Sequence, residues 1–210
     1  MQHRFLHKRM PLILLLAAFW MTPLSAQQVN FGTHAEGYEL ILTPLMPELD
    51  FGDRVSGEGT VQIQLTDDEV VPIEIKGVAY LDVTVTLEPP AENFLVLEGN
   101  LEYLEEGHAD KRMPVTIRMA YYNKGQENIN EEEAKTDAIE VVGNTATFRI
   151  RRRPGGPPGP PPTPPHAGYT PPKAIAYLFI YGDLEVGNVN AGTYSGQMNI
   201  HVEYSTYEPQ

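Results

Sequence analysis

Hydrophobic and polar residues alternate along much of the chain after residue 37. A period of two is typical of a strand that turns one face to a core and the other to water. Further short strands are predicted at residues 38–43, 94–97 and 101–104. The apolar sets that alternate most regularly are Val61, Ile63 and Leu65; Val83, Val85 and Leu87; Val115, Ile117, Met119 and Tyr121; Phe148 and Ile150; and Met198, Ile200, Val202 and Tyr204.

Three local features refine these strands. Residues 175–181 (IAYLFIY) are apolar on both faces, which predicts a central strand that is covered on both sides. Pro72 has no N–H for a ladder, so its strand is expected to lie at an edge or to begin there. Leu49 and Phe51 would face the same way on a short strand that Gly52 ends.

Helical periodicity is nearly absent from the sequence. The strongest helical candidate is residues 128–139 (NINEEEAKTDAI), which contain good helix formers and an asparagine that could cap them. Too few apolar residues lie in this segment to bury a helix face. We therefore expect an acidic loop that contains about one helical turn.

The strands point to one all-β fold. About nine or ten short strands separated by Gly, Asn, Asp and Pro favour a β-sandwich or a barrel. Their unequal lengths and irregular connections favour an antiparallel sandwich over an up-and-down barrel, which has even spacing. The chain contains no cysteine, so this sandwich is expected to fold without disulfides.

The first 26 residues have the order of a secretory signal peptide. Arg4, Lys8 and Arg9 precede an apolar run at 11–20, and small residues stand at Ser25 and Ala26. We expect cleavage after Ala26, no membrane span afterwards, and one mature domain at 27–210. Export across an inner membrane without cysteine predicts a periplasmic, cell-surface or extracellular protein.

A proline-rich stretch separates the last strands. Residues 151–173 (RRRPGGPPGPPPTPPHAGYTPPK) hold ten of the 19 prolines, and their glycines lack the period of collagen. The segment after residue 173 is too short to form a core of its own. Residues 153–173 are therefore predicted as a loop inserted between late strands of one domain. It is either a solvated insertion or a stiff, polyproline-like recognition arm.

Charge and residue chemistry exclude several functions. The formal net charge of −13 argues against binding to a nucleic-acid backbone. Ser195 lies in GTYSG, which is not a nucleophile elbow, and the histidines lack metal-ligand spacing. The acidic runs at 67–69 and 131–133 do not match a calcium loop. We therefore predict no enzymatic activity, no catalytic residue, no cofactor and no metal.

Both ends of the mature chain carry a resemblance. LTPLMPELDFG (42–52) with GTVQIQL (59–65), and DLEVGNVNAGTYSGQMNIHVEY (183–204), resemble a family of exported bacterial proteins of unknown function. The pattern is also similar to secreted β-sandwiches of the pilin and spore-coat-U type. This resemblance implies an immunoglobulin-like, Greek-key sandwich and a structural role at the surface, with no catalytic residues. Gly192 and Gly196 suit a tight turn into the last strand, with Tyr194 anchoring that turn on the core.

Two functions remain open at this point. The first is a structural or assembly protein of a fibre, coat or matrix, which joins a protein partner or itself by strand addition. Its expected contacts are the tail at 27–37 and the final strand at 195–204. The second is a monomeric secreted binding module for carbohydrate or protein. Exposed tyrosines would form its binding face, and the candidates are Tyr121, Tyr122, Tyr169 and Tyr207.

Overall fold

The computed structural model describes residues 38–124, 131–151 and 171–205, which all belong to one compact unit. These ranges contain one short helix, α1 (Glu131–Thr136), and three 3-10 turns at Ala91–Asn93, Leu101–Leu104 and Ala109–Lys111. They also contain eleven strands: β1 (Ile41–Pro44), β2 (Gly59–Ile63), β3 (Val71–Val78), β4 (Asp82–Glu88), β5 (Phe94–Leu97), β6 (Arg112–Tyr122), β7 (Ile139–Glu140), β8 (Thr145–Arg149), β9 (Lys173–Val186), β10 (Tyr194–Ser195) and β11 (Asn199–Tyr204).

The strands form two antiparallel sheets. The large sheet has the order β1-β3-β9-β6-β5-β10, with β2 also paired to β9 and β7 to β6. The small sheet has the order β11-β4-β8. The two sheets enclose a common core, so the prediction of an all-β, antiparallel, sandwich-like fold is confirmed. The immunoglobulin-like and Greek-key details stay predictions.

Several predictions fall outside the described residues. They are the signal peptide at 1–26, the tail at 27–37 and nearly all of the proline-rich insertion at 153–173. Within the described ranges, no helix is both long enough and apolar enough to cross a membrane.

The first core cluster lies between the two sheets. The small sheet contributes the inward residues of β4 and β8, and the large sheet contributes those of β3 and β9. Burial of alternate apolar residues on facing strands is what holds a sandwich together. The fully covered members include Ile75, Val83, Val85, Leu178 and Ile180.

Strand β9 is the centre of the large sheet. β3 and β2 pair with one of its edges, and β6 pairs with the other. Leu178 and Ile180 belong to the first core cluster, whereas Phe179 and Tyr181 belong to a second one on the opposite side. The prediction of a central strand covered on both faces at 175–181 is therefore confirmed.

Helix α1 helps to cover the second core cluster. Its six residues agree with the predicted short helical turn, but the expectation that this segment buries no face was wrong. Ala134 and Lys135 are both buried. The Lys135 ammonium donates to the carbonyl of Asp67 at 2.7 Å and lies 3.2 Å from the Glu131 carboxylate. A count of apolar residues does not predict the burial of this helix. Lysine can bury its carbon chain when its ammonium group has hydrogen-bond and ion-pair partners.

Two of the predicted strands are not strands in the structure. Residues 101–104 form a 3-10 turn, which the Asn100 side chain caps by accepting a hydrogen bond from the N–H of Glu102 at 3.1 Å. Residues 49–51 are irregular, since the Asp50 carboxylate accepts from the N–H of Gly52 at 2.8 Å and bends the chain. Short polar side chains favour such local bonds over a ladder.

The predicted final strand at 195–204 is two strands in different sheets. β10 pairs with β5 in the large sheet, and β11 pairs with β4 in the small sheet. Residues 196–198 carry the chain from one sheet to the other. Tyr194 packs partly against the second core cluster, and its hydroxyl donates to the carbonyls of Asn190 (2.9 Å) and Asp110 (3.2 Å). Its anchoring role therefore includes holding two loops together.

Pro72 is the second residue of β3, which confirms the prediction of a strand start. The other reading, an edge strand, is wrong because β3 lies between β1 and β9. Beyond the last residue pair of β1 and β3, the carbonyl of Pro72 accepts from the N–H of Leu45 at 2.9 Å.

Glycine is required at position 182, where β9 pairs with β6. A Cβ there would lie 2.1 Å from the carbonyl oxygen of Thr116, which is backbone and cannot rotate away. We expect Gly182→Ala to lower the free energy of unfolding by about 1–3 kcal/mol through overpacking. Gly187→Ala is the matched control, because no atom lies within 4 Å of that Cβ. Urea denaturation measures both, and equal stabilities for the two variants would contradict this account.

Buried tyrosines predict a loss of stability at alkaline pH. Burial raises the pKa of Tyr177 to about 12, and the nearby Glu74 carboxylate adds to this rise. A phenol with a raised folded-state pKa contributes stability below about pH 10, which is lost as the pH rises through about 12. The free energy of unfolding should therefore fall over this window, and fall less in Tyr177→Phe. Identical pH profiles for the two proteins would show that Tyr177 has no such role.

Candidate functional site at the edge of the small sheet

The tyrosines proposed for a binding face are mostly covered. Tyr122 is 3% exposed within the second core cluster. The ring of Tyr121 stacks on Phe148, with centroids 4.2 Å apart, and packs against the first core cluster. Tyr122 is therefore not an exposed binding ring, and Tyr121 offers only part of its ring. Both lie at the end of β6, where consecutive residues from Met119 to Tyr122 are buried or half-buried and both faces are covered, which alternation alone does not reveal. Tyr169 and Tyr207 lie outside the described residues.

Few titratable side chains lie close together in the described ranges. These ranges contain no group of three or more His, Cys, Asp or Glu residues that could hold a metal ion. His201 lies on the solvent face of β11, as its period predicts, and its Nε2 is 3.5 Å from the Glu88 carboxylate. The absence of a cofactor and of catalysis stays a prediction. What the structure offers instead is a set of sheet edges.

The β1 edge of the large sheet is poorly suited to pairing. The N–H of Leu45 donates to Pro72, so by the alternation of an antiparallel ladder the odd-numbered residues of β1 bond to β3. The backbone groups of Leu42 and Pro44 then point away from the sheet. Pro44 has no N–H, and β1 is only four residues long. Short length and proline are common ways of protecting an edge.

The β11 edge, which is the free backbone side of Asn199–Tyr204, has neither protection. The N–H of Ser205 donates to the carbonyl of Asp82 at 2.9 Å and continues the register of β11 on β4. Odd-numbered residues of β11 therefore bond to β4, and the N–H and C=O groups of Ile200, Val202 and Tyr204 point away from the sheet. Among the described strands, β4 is the one partner of β11.

The remaining edges are shorter or partly covered. β2 and β8 have five residues each, and β7 and β10 have two, against six in β11. The side-chain amide of Asn123 donates to the carbonyl of Arg149 at 2.8 Å and so caps one end of β8. β11 is therefore the longest edge strand that the described residues present.

An apolar row accompanies the β11 edge. The side chains of Ile200, Val202 and Tyr204, here called the apolar row, are only half-buried against the first core cluster. Leu40 and Leu42 are half-buried on the β1 side of the same cluster. Backbone groups that lack a partner strand, next to incompletely covered apolar side chains, are the two features that strand addition uses.

Tyr204 ties the small sheet to the large one at this edge. Its hydroxyl accepts a hydrogen bond from the N–H of Val78, at the end of β3, at 2.8 Å. A Cβ on Gly77 would lie 2.7 Å from Leu40 Cδ2 and 2.8 Å from the Tyr204 hydroxyl, so these side chains meet over the glycine. Burial raises the pKa of Tyr204, while the bond from Val78 opposes that rise. The end of β11 is thereby fixed in position.

Comparison with known proteins gives no further assignment. No family model matches the chain, and no curated protein matches it. The resemblance of the two chain ends to an exported family therefore stays an expectation.

The bond from Val78 to Tyr204 can be tested by removing one oxygen atom. Tyr204→Phe should lower the free energy of unfolding by about 1–3 kcal/mol, because it leaves the fully buried N–H of Val78 without this acceptor. Tyr121→Phe is the control, since the Tyr121 hydroxyl makes no hydrogen bond to the described residues. Equal midpoints of chemical denaturation for the two variants would contradict a stabilising role of this hydrogen bond.

Proposed function

We propose that this chain is an exported, non-enzymatic structural or assembly protein of the periplasm, cell surface or extracellular space. It joins its partner, another protein or another copy of itself, by adding a β-strand to a sheet edge. The final assembly is a fibre, a coat or a matrix, in which the chain is a subunit or an accessory.

The observation that carries this proposal is the β11 edge. Its six residues contain no proline and no inward-pointing charge, and its outward backbone groups have no partner strand within the described ranges. Proteins that stay monomeric usually protect such edges, because they attract strands from other chains. An edge that is left open beside an apolar row therefore favours an assembly role.

Two sequence features are consistent with this role. The signal-like pattern at 1–26 would export the chain, and the acidic composition would keep an exported protein soluble until it assembles. The alternative, a monomeric binding module for carbohydrate or protein, has less support. Of its four candidate tyrosines, Tyr122 is buried and Tyr121 is half-covered.

Light scattering on the mature chain, residues 27–210, tests the proposal. We expect the mass after size exclusion to rise with protein concentration, because strand addition between chains is governed by mass action. The same measurement on a chain lacking residues 27–37 shows whether that tail supplies the added strand. Loss of assembly on deletion identifies the tail, and persistence identifies another edge. A sharp monomer in both proteins at every concentration would contradict assembly of this chain with itself.

A further inference from the structure

The β11 edge is complementary to itself. We infer that β11 of one copy pairs antiparallel with β11 of a second copy about a two-fold axis at Val202, joining the two small sheets into one of six strands. The partner is thus a second copy of this chain. This inference rests on the proposed function and specifies which edge and which register carry out the assembly.

The backbone groups fit this symmetry. The outward N–H and C=O groups belong to Ile200, Val202 and Tyr204, which are evenly spaced about the central residue. A two-fold axis at Val202 places that residue opposite its own copy and Ile200 opposite Tyr204. Each outward donor then meets an outward acceptor, as in any antiparallel ladder.

The residues on the outer face of β11 favour this register over the two registers that are shifted by one residue. With the axis at Val202, His201 of each copy lies opposite Glu203 of the other, so two His–Glu pairs form across the junction. Moving the axis to His201 places two histidines opposite each other, and moving it to Glu203 places two carboxylates opposite each other. Two facing carboxylates destabilise a strand pair, whereas the imidazole of His201 can donate a hydrogen bond to the carboxylate that faces it.

The inner face gains cover from the same pairing. Val202 would lie against its own copy and Ile200 against Tyr204, which extends the first core cluster across the junction. These are the half-buried side chains of the apolar row, so their remaining exposed surface is what the second copy would remove from water. The net charge of −13 opposes the approach of two copies, so association should be measured at physiological salt, where charges beyond about 8 Å are screened.

Cross-linking tests the register directly, because the chain contains no cysteine of its own. The pairing places the two copies of residue 202 at about 5.5 Å between Cα atoms, within the range of a disulfide. We expect Val202→Cys to form a covalent dimer rapidly under mild oxidation. Thr147→Cys, on the opposite edge of the same sheet, is the control and should not.

Placing a second carboxylate on the outer face of β11 provides a second test, on an exposed side chain that does not disturb the core. His201→Glu places carboxylates opposite each other and should weaken dimerisation about tenfold. The exchanged variant, His201→Glu with Glu203→His, restores a His–Glu pair at each of the two positions and should recover most of the affinity. Both variants carry the introduced glutamate at position 201, next to Glu88. The difference in dimerisation between them therefore reports the contact between copies.

The outcomes separate this inference from the proposed function. If Val202→Cys cross-links no faster than Thr147→Cys and His201→Glu dimerises like the parent, the β11 pairing is wrong. The assembly role would survive if the parent still formed oligomers, for example through the tail at 27–37. A parent chain that stays monomeric would contradict both the β11 pairing and the self-assembling form of the proposed function.

Discussion

The structure depends on β9, whose backbone is paired along both edges while both of its faces carry buried side chains. Its 14 residues reach β3 and β2 on one side and β6 on the other, and β1 and β5 join the large sheet only through those neighbours. A buried strand must satisfy all of its backbone groups, so the length and position of β9 fix where its partners lie. The small sheet then has one apolar face to cover, which is the first core cluster.

Because the middle of β9 is paired on both edges, the backbone groups without a partner strand among the described residues lie mainly at the sides of the sandwich. The two neighbouring edges there are treated differently. β1 is short and contains Pro44, whereas β11 is longer, free of proline and lined by Ile200 and Val202 on its inner face. Natural proteins usually protect edges of this kind, so the contrast favours a functional reason for an edge of β11 that has no partner strand within the described ranges.

The alternation of apolar and polar residues was enough to locate most strands, because a strand that is buried on one face has apolar residues at every second position. It could not show that residues 195–204 change sheets, since the pattern continues through the crossing. The sequence also failed to show that the helix around Lys135 is buried, because this burial depends on a hydrogen bond to a distant carbonyl. The final strand was a candidate contact from the sequence, but the outward backbone of Val202 follows from its register on β4, which periodicity does not contain.

Amide hydrogen exchange of the mature chain, followed residue by residue at several protein concentrations, tests the central claim most directly. The N–H groups of His201 and Glu203 bond to β4 and should be protected at every concentration. Those of Ile200, Val202 and Tyr204 should exchange quickly in dilute protein and become protected as copies assemble. Rapid exchange of these three groups in concentrated protein would contradict the claim that the β11 edge is where the chain assembles.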